Sequence, residues 1–147
     1  MQFAQALRLA VVAAAAVGIG TSVLVSSPGQ AVATAEKGNV KITERDFRIT
    51  APKRLAPGEV TLSITNNGPD THELIVVRAR GKSLPLRTDG LTVNEERLQE
   101  RIVGVLEPRS AGTTHTLRLH LVPGRYVLLC NMAGHYLGGM HTQVVVR

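Results

Sequence analysis

The segment Cys130–His141, CNMAGHYLGGMH, surrounds the only cysteine of the 147-residue chain with histidines, methionines and glycines. Within it, Cys130, His135 and Met140 follow the spacing C-x4-H-x4-M. The glycines permit backbone conformations closed to other residues, so such a loop can fold back over a small point. Two histidines and one cysteine with a weak axial methionine make an electron-transfer copper site. The spacing therefore predicts a metal site that takes three of its ligands from one loop.

A site of this kind needs a second histidine, and we expect it from a distant strand because one loop cannot brace both sides of a metal ion. His72 fits, because it follows the turn NNGPDT and opens the apolar segment HELIVV. His120 lies on the face of its segment opposite the leucines, and His115 lies at the start of that segment. His141 directly follows Met140 and should point to the other side of its strand. In place of Met140 it would give a Cys-His-His-His set, which suits zinc or a hydroxide-binding copper.

Each ligand of the loop also has a simpler interpretation. Cys130 can be a buried, inert core thiol, and His135 can be an ordinary loop histidine. Met140 can be a packing residue that leaves the axial position open. Met132 is closer to Cys130 in sequence, but no loop turns its side chain back toward the thiol, so we expect it to pack near the site. The combination of three donors at this spacing favours ligation.

The N-terminal segment has the layout of a secretory signal. One positive charge, Arg8, precedes an uncharged apolar run at residues 9–25, and the small-residue stretch AVATA predicts cleavage after Ala33 or Ala35. The run is short for a membrane span, which takes ~20 apolar residues. The alternative to cleavage is an uncleaved membrane anchor.

We expect residues 1–35 to be a signal peptide, or an anchor if retained, and residues 36–147 to form one domain exported to the periplasm or the extracellular space. An exported chain with one cysteine cannot close an intramolecular disulfide. A free thiol in an oxidising compartment is exposed to oxidation unless it is buried or bound to a metal. Export is thus a further reason to expect that Cys130 is a ligand.

The charged residues exclude one class of partner. The chain has 17 basic and 11 acidic side chains and a net charge of +6, but the charges are interspersed and no basic block is interleaved with aromatic residues. Nucleic-acid binding is therefore not expected. The positive excess can still favour an acidic partner or surface.

The sequence after the N-terminal segment has mainly the period of β-strands. Apolar positions fall on one face in EVTLSIT and TLRLHL, whereas HELIVVR, RYVLLC and HTQVVVR are denser in apolar residues, as expected for strands covered on both sides. VKITERDFRIT is expected to be a first strand with Phe47 pointing inward. Because turns rich in glycine and proline separate these segments, we predict an all-β sandwich or barrel.

Residues 79–108 interrupt this pattern. Within them, TVNEERLQERIVGVL has Leu98, Ile102 and Leu106 at a spacing of four, which predicts a short helix that Asn94 can cap. We therefore expect one long, partly helical excursion between two strands, lying across one end or side of the domain.

The segments NNGPDTHELIVV and YVLLCNMAGHYLGGM together resemble the two halves of a cupredoxin, or blue-copper, site. The C-x4-H-x4-M spacing is most similar to the rusticyanin and sulfocyanin pattern, and the resemblance covers roughly residues 38–147 of the chain. It implies a Greek-key β-sandwich that binds one copper ion, which cycles between Cu(I) and Cu(II). By this resemblance His72, Cys130 and His135 are the equatorial ligands and Met140 is the axial one.

The chain departs from the family at one position next to the first histidine. Plastocyanin and azurin have an asparagine there that braces the loop carrying the cysteine, whereas this chain has Glu73. The role of Glu73 stays open at this point, and Asn67 and Asn131 are candidates to brace the loops. Because hydrogen bonds around the ligands tune a metal, the sequence does not predict a reduction potential.

The resemblance implies an exported, monomeric type 1 copper protein that carries single electrons and docks its redox partners near His135 and Tyr136. We expect no enzymatic activity, because no nucleophile is paired with a base and a filled axial position leaves no place for substrate. Contact with a membrane is expected only if the N-terminal segment is retained. One alternative is a copper-delivery protein of the same fold, and another is a metal-free sandwich that serves as an interaction module.

Overall fold

The computed structural model describes residues 38–81 and 83–147. The predicted signal or anchor segment, residues 1–35, lies outside them. In this part of the chain, no helix is long and apolar enough to cross a membrane. The elements in chain order are β1 (Asn39–Arg45), β2 (Arg48–Thr50), β3 (Arg54–Leu55), β4 (Gly58–Asn66), β5 (His72–Arg78), a 3₁₀ helix (Glu96–Arg101), β6 (Ile102–Arg109), β7 (Thr114–Leu121), β8 (Gly124–Leu129) and β9 (His141–Val146).

The strands form two mixed sheets. The first has the order β2-β1-β4-β7, and the second has the order β3-β9-β8-β5-β6. The pairs β1–β4 and β3–β9 are parallel, whereas the others are antiparallel. The expected all-β sandwich is confirmed, and the strands predicted around HELIVVR, RYVLLC and HTQVVVR are β5, β8 and β9.

The main core lies between the two sheets. The alternation in β4 places Val60, Leu62 and Ile64 on the buried face, because successive side chains of a strand point to opposite sides. The cluster extends to Cys130 and Met140, so the end of the core reaches the predicted ligand loop. Its other buried members are Ile42, Ile49, Leu55, Leu74, Val76, Leu106, Leu119, Leu121, Tyr126, Leu128, Val144 and Val146.

A second apolar layer covers the opposite face of the five-stranded sheet. The excursion between β5 and β6 packs on this face, which explains why β5 and β8 are apolar on both sides. The buried members of this layer are Ile75, Val77, Val127 and Leu129 from the sheet, and Leu84, Val93 and Leu98 from the excursion. The prediction that the excursion lies across one side of the domain is confirmed.

The predicted helix within the excursion is largely wrong. Only Glu96–Arg101 is helical, as a 3₁₀ helix, and the Arg97 N–H donates to Asn94 Oδ1 at 3.1 Å near its start. Ile102 and Leu106 lie in β6, which pairs with the edge of β5. The sequence IVGV is rich in β-branched residues, and pairing along β5 satisfies its backbone groups, so strand formation outweighs the spacing of four.

The predicted first strand is also different from the observed one. VKITERDFRIT forms two antiparallel strands, β1 and β2, joined by a turn at Asp46 and Phe47. Phe47 has a φ of 58° and its side chain is 51% exposed, so it does not point into the core. β1 pairs with β4 on one side and with β2 on the other. It ends at Arg45 because the chain must reverse its direction before β2 can pair with it in an antiparallel arrangement.

Candidate metal centre

Three of the predicted ligands meet at one end of the sandwich. One donor atom from each of His72, Cys130 and His135 lies within 4.8 Å of the others. Cys130 Sγ is 3.5 Å from His135 Nδ1, and the centroids of the two histidine rings are 5.2 Å apart. His72 opens β5 and Cys130 follows β8, so the antiparallel pairing of these strands brings the two residues to the same end of the sheet.

His72 is fully buried and presents a free ring nitrogen. Its Nε2 lies 3.1 Å from Asp46 Oδ1, whereas its Nδ1 is buried and finds no hydrogen-bond partner among the residues that the structure describes. Burial lowers the pKa of His72, and nearby His135 adds to this effect, whereas the hydrogen bond to Asp46 opposes it. A lowered pKa favours the neutral imidazole, which is the form that binds metals.

Cys130 is fully buried beside this histidine. Burial raises the pKa of its thiol to about 11, although hydrogen bonds from the backbone of Glu73 and Met132 act in the opposite direction. A buried thiol of this kind loses its proton when a cation replaces it, because metals bind the thiolate. Met132 is half-buried and packs against the core cluster, as expected for a residue near the site.

The loop from Cys130 to Met140 is closed by its own backbone. The Cys130 N–H donates to the Met140 carbonyl at 3.1 Å, and the Met140 N–H donates to the His135 carbonyl at 2.9 Å. Gly134 and Gly139 have φ angles of 80° and 103°, which other residues rarely adopt, so the glycines permit this closure. Met140 is fully buried and returns to Cys130, as the spacing predicts.

The remaining histidines lie away from this cluster. The exposed ring of His141 stacks on Tyr136 with centroids 4.8 Å apart, so His141 does not replace Met140. His120 is exposed and lies 2.8 Å from a Glu59 carboxylate oxygen, as expected for a solvated strand residue. His115 is half-buried in β7, opposite Ile64 of β4.

Glu73, next to the first histidine, braces the segment that follows Cys130. Its Oε1 accepts a hydrogen bond from the Asn131 N–H at 3.1 Å, which ties the start of β5 to the residue after Cys130. Burial raises the pKa of Glu73, and the charge of Glu95 raises it further. A carboxylate and an asparagine carbonyl are both acceptors, so one can replace the other at a backbone N–H.

Two asparagines brace the neighbouring segments. Asn131 joins the ligand loop to the excursion: its Oδ1 accepts from the Val93 N–H at 2.6 Å, and its Nδ2 donates to the Val93 carbonyl and to Glu95 Oε1. In the turn before His72 the bracing residue is Asn66 rather than Asn67. Its side chain accepts from the Gly68 N–H and donates to two backbone carbonyls.

Asp46 and Phe47 are site residues that the sequence did not indicate. They touch the two histidines from the turn between β1 and β2, which lies far from both ligand segments in the chain. Neither residue belongs to a recognisable motif, so only the folded structure identifies them. The donor set itself, an unpaired buried imidazole nitrogen, a thiol and a second imidazole with a buried thioether nearby, fits a type 1 copper ion.

Similar solved structures share this arrangement of strands. Auracyanin from Roseiflexus castenholzii, in its dithionite-reduced form, matches with a TM-score of 0.60 at 20% identity, over 77% of this chain and 98% of its own. Auracyanin A, a "blue" copper protein from Chloroflexus aurantiacus, matches with a TM-score of 0.55 at 16% identity, over 74% and 98% of the two chains. The chain has the cupredoxin fold.

The structural similarity extends to a third protein. Rusticyanin from Thiobacillus ferrooxidans matches with a TM-score of 0.52 at 15% identity, over 74% of this chain and 77% of its own. No protein-family model and no curated protein matches the sequence. The resemblance found in the sequence is therefore confirmed at the level of the cupredoxin fold, and the case for a metal depends on the donors of this chain.

Proposed function

We propose that the protein is an exported, mononuclear type 1 copper protein that carries single electrons between redox partners. His72, Cys130, His135 and Met140 would hold the ion. The observation that supports this most directly is the meeting of three donor residues within 4.8 Å, together with a buried His72 Nδ1 that has no hydrogen-bond partner among the described residues. A buried polar atom is costly to leave unpaired, so its position toward a thiol and an imidazole favours a metal.

Copper bound at this position would supply one-electron chemistry by cycling between its cuprous and cupric states. The protein's part is to hold the donors in one arrangement. His72 is fixed by a strand and Asp46, Cys130 by backbone hydrogen bonds, and Met140 by the closed loop. Donors that move little between the two oxidation states keep the reorganisation small, which suits an electron carrier.

Redox partners dock, in this proposal, on the surface around His135. This histidine is half-buried, and exposed apolar side chains flank its loop, with Leu137 52% and Phe47 51% exposed. Tyr136 contributes one half-buried ring face and packs against the second apolar layer. An apolar rim next to a ligand allows close approach without a large desolvation cost.

The proposal assigns no enzymatic activity and a monomeric state. His72, Cys130 and Met140 are all fully buried, which favours a closed ligand set over one with room for substrate. The lone thiol is compatible with export, because a fully buried cysteine is protected from oxidation in an oxidising compartment. The periplasm or the extracellular space is the proposed location.

Copper loading of the exported protein tests the proposal. The full chain is expressed in a bacterium, recovered from the periplasm, loaded with cupric ion and desalted, and its visible spectrum, copper content and mass are measured. We expect an intense sulfur-to-copper absorption band at one copper per chain, which Cys130→Ser abolishes. A faint band, or copper lost on desalting, would overturn the proposal.

A second measurement separates electron transfer from copper delivery. The loaded protein is mixed with a cuprous chelator, and the loss of copper is compared with the rate of electron self-exchange. A carrier of electrons keeps its copper while it exchanges electrons quickly. A delivery protein gives up copper quickly, and that result would favour the alternative.

A further inference from the structure

The turn between β1 and β2 contacts both histidines of the site. Arg45 pairs with Arg48, so Asp46 and Phe47 are the two residues of the hairpin turn. Turns of this length favour glycine or asparagine where φ is positive. Phe47 instead has a φ of 58°, and it is the only non-glycine residue with positive φ among residues 38–81 and 83–147. A bulky side chain at such a position indicates that its contacts, rather than the turn, require it.

Asp46 contacts the buried His72 beside Gly68, where a larger residue would leave no space for the contact. Its Oδ1 lies 3.1 Å from His72 Nε2, and its side chain is 29% exposed while that of His72 is fully buried. A Cβ at Gly68 would lie 2.6 Å from Asp46 Oδ1 and 2.9 Å from His72 Nε2. The φ of Gly68 is outside the region that favours glycine, so the space for this contact requires the glycine.

Phe47 covers the other histidine in a similar way. Its ring packs edge-on against His135, with centroids 5.4 Å apart and an interplanar angle of 61°. A Cβ at Gly138 would overlap the Phe47 ring, and the φ of Gly138 also lies outside the region that favours glycine. Gly68 and Gly138 therefore each make room for one residue of the same turn.

We propose that Asp46 and Phe47 are positioning residues for the metal centre: Asp46 selects the ring nitrogen with which His72 binds, and Phe47 holds the ring of His135. A carboxylate only accepts hydrogen bonds, so the Nε2 that contacts it carries the proton. Nδ1 of the neutral ring, which is buried without a hydrogen-bond partner among the described residues, then keeps its lone pair for a metal. One ring nitrogen of His72 lies within 4.8 Å of the donor atoms of Cys130 and His135. Partners that fix the tautomer of a ligating histidine change metal affinity about 10–100-fold when removed.

The tautomer of His72 tests the role of Asp46 without any metal. Nitrogen chemical shifts of the metal-free, full-length protein report which ring nitrogen carries the proton. We expect the Nε2–H form in the wild type, and a mixture of both forms in Asp46→Ala. Asp46→Asn keeps the shape, but its amide can also donate, so we expect an intermediate result. A single Nε2–H form in both variants would overturn the assignment.

Asp70→Ala is the matched control. Asp70 acts on His72 through its charge but makes no hydrogen bond to the ring, so its removal changes the same local charge and leaves the contact intact. We expect Asp46→Ala to weaken copper binding by about 10–100-fold and Asp70→Ala to change it less than about threefold. Equal effects would show that only charge matters and would overturn the positioning role.

A double substitution tests the role of Phe47. Gly138→Ala should weaken copper binding, because the added methyl group displaces the Phe47 ring, and Phe47→Ala should speed copper release. Phe47→Ala combined with Gly138→Ala should be no worse than Phe47→Ala alone, because the overlap is gone. Leu137→Ala is the control, since this side chain is as exposed as that of Phe47 and lies in the loop that carries His135 and Gly138. Strictly additive effects, or a Leu137→Ala effect as large as that of Phe47→Ala, would overturn the role.

The copper measurements rest on the proposed function, whereas the tautomer is a property of the metal-free protein. If the wild type forms no intense absorption band, the proposed function fails and the tautomer result still decides the role of Asp46. If the band forms and the tautomer does not depend on Asp46, the inference about Asp46 fails and the proposed function stands.

Discussion

The two histidines of the centre differ in how the fold holds them. His72 starts a central strand, is fully buried, and has one ring nitrogen fixed by Asp46. His135 lies in a glycine-rich loop, is half-buried, and is held by the loop backbone and by an aromatic ring. One histidine belongs to the rigid core and the other to the surface. A site built in this way is anchored from inside and accessible from outside.

Replacing each histidine by glycine tests this difference most strongly. Both His72→Gly and His135→Gly should lose the intense absorption band. Their copper affinity should fall by more than the roughly 100-fold expected when a residue that contacts a ligand is removed. Added imidazole should restore the band in His135→Gly, because that position lies near the surface. Imidazole should not restore the band in His72→Gly, because that position is buried. Titration with imidazole, followed by visible absorption, checks this, and equal rescue would contradict it.

Asn131→Ala tests how firmly the ligand loop that carries His135 is fixed to the excursion. This change removes the side-chain hydrogen bonds to Val93 and leaves a buried N–H and carbonyl unpaired. We expect the free energy of unfolding of the metal-free protein to fall by about 1–3 kcal/mol. The control is Asn67→Ala, an exposed position where a change within about 0.5 kcal/mol is expected. Denaturant unfolding measures the free energy of both variants. Equal values would show that the hydrogen bonds between Asn131 and Val93 contribute nothing to stability.

Glu44 should make the free energy of unfolding of the metal-free protein depend on pH. Burial, together with the charge of Glu73, raises the pKa of Glu44 from 4.5 to about 8. Between these values the folded chain keeps a proton that the unfolded chain has released. Stability should therefore fall as pH rises through this window, by at most about 1.4 kcal/mol per pH unit from this group.

Glu44→Gln should remove this contribution and flatten the profile. Below pH 4.5 the wild type and the variant should differ little in pH dependence, whereas toward pH 8 the variant should gain stability relative to the wild type. Denaturant unfolding of the metal-free proteins at several pH values measures the difference. Parallel profiles for the two proteins would rule out a raised pKa at Glu44.

Met140→Leu should have the smallest effect. The two side chains are similar in volume, so the stability of the metal-free protein should change by less than about 1.5 kcal/mol. The absorption band should persist with a changed maximum, because Cys130 and both histidines remain. Spectra and unfolding curves of the loaded and metal-free proteins check this. Loss of the band would show that Met140 holds the site more strongly than a weak axial ligand does.

The clustering of the four candidate ligands could be predicted from the sequence because their chemistry is local. Cys130, His135 and Met140 lie in one segment at a regular spacing, and His72 directly follows a turn and opens an apolar strand. The same local reasoning identified β5, β8 and the covering role of the excursion. In each case the pattern along the chain and the contacts across the fold point to the same structure.

The residues around the ligands could not be predicted, because their roles depend on contacts between distant segments. Asp46 and Phe47 act on the site only because β1 turns back at that point, whereas the sequence suggested one continuous strand. Likewise Leu98, Ile102 and Leu106 have a helical spacing. Ile102 and Leu106 instead lie in β6, because this segment pairs with the open edge of β5. Glu73 departs from the family pattern in sequence, but its contact with the Asn131 N–H depends on the fold.

The bridge between the ligand loop and the excursion has a consequence for local opening. Asn131 binds Val93, and the Gly134 N–H donates to the Leu91 carbonyl at 3.1 Å, so the two segments share hydrogen bonds at two points of the loop that follows Cys130. They cannot separate without exposing these amides, and they therefore behave as one cooperative unit in hydrogen exchange. Occupation of the centre would slow exchange not only in the loop but also at Val93, which makes the excursion a reporter of the metal on the far side of the sheet.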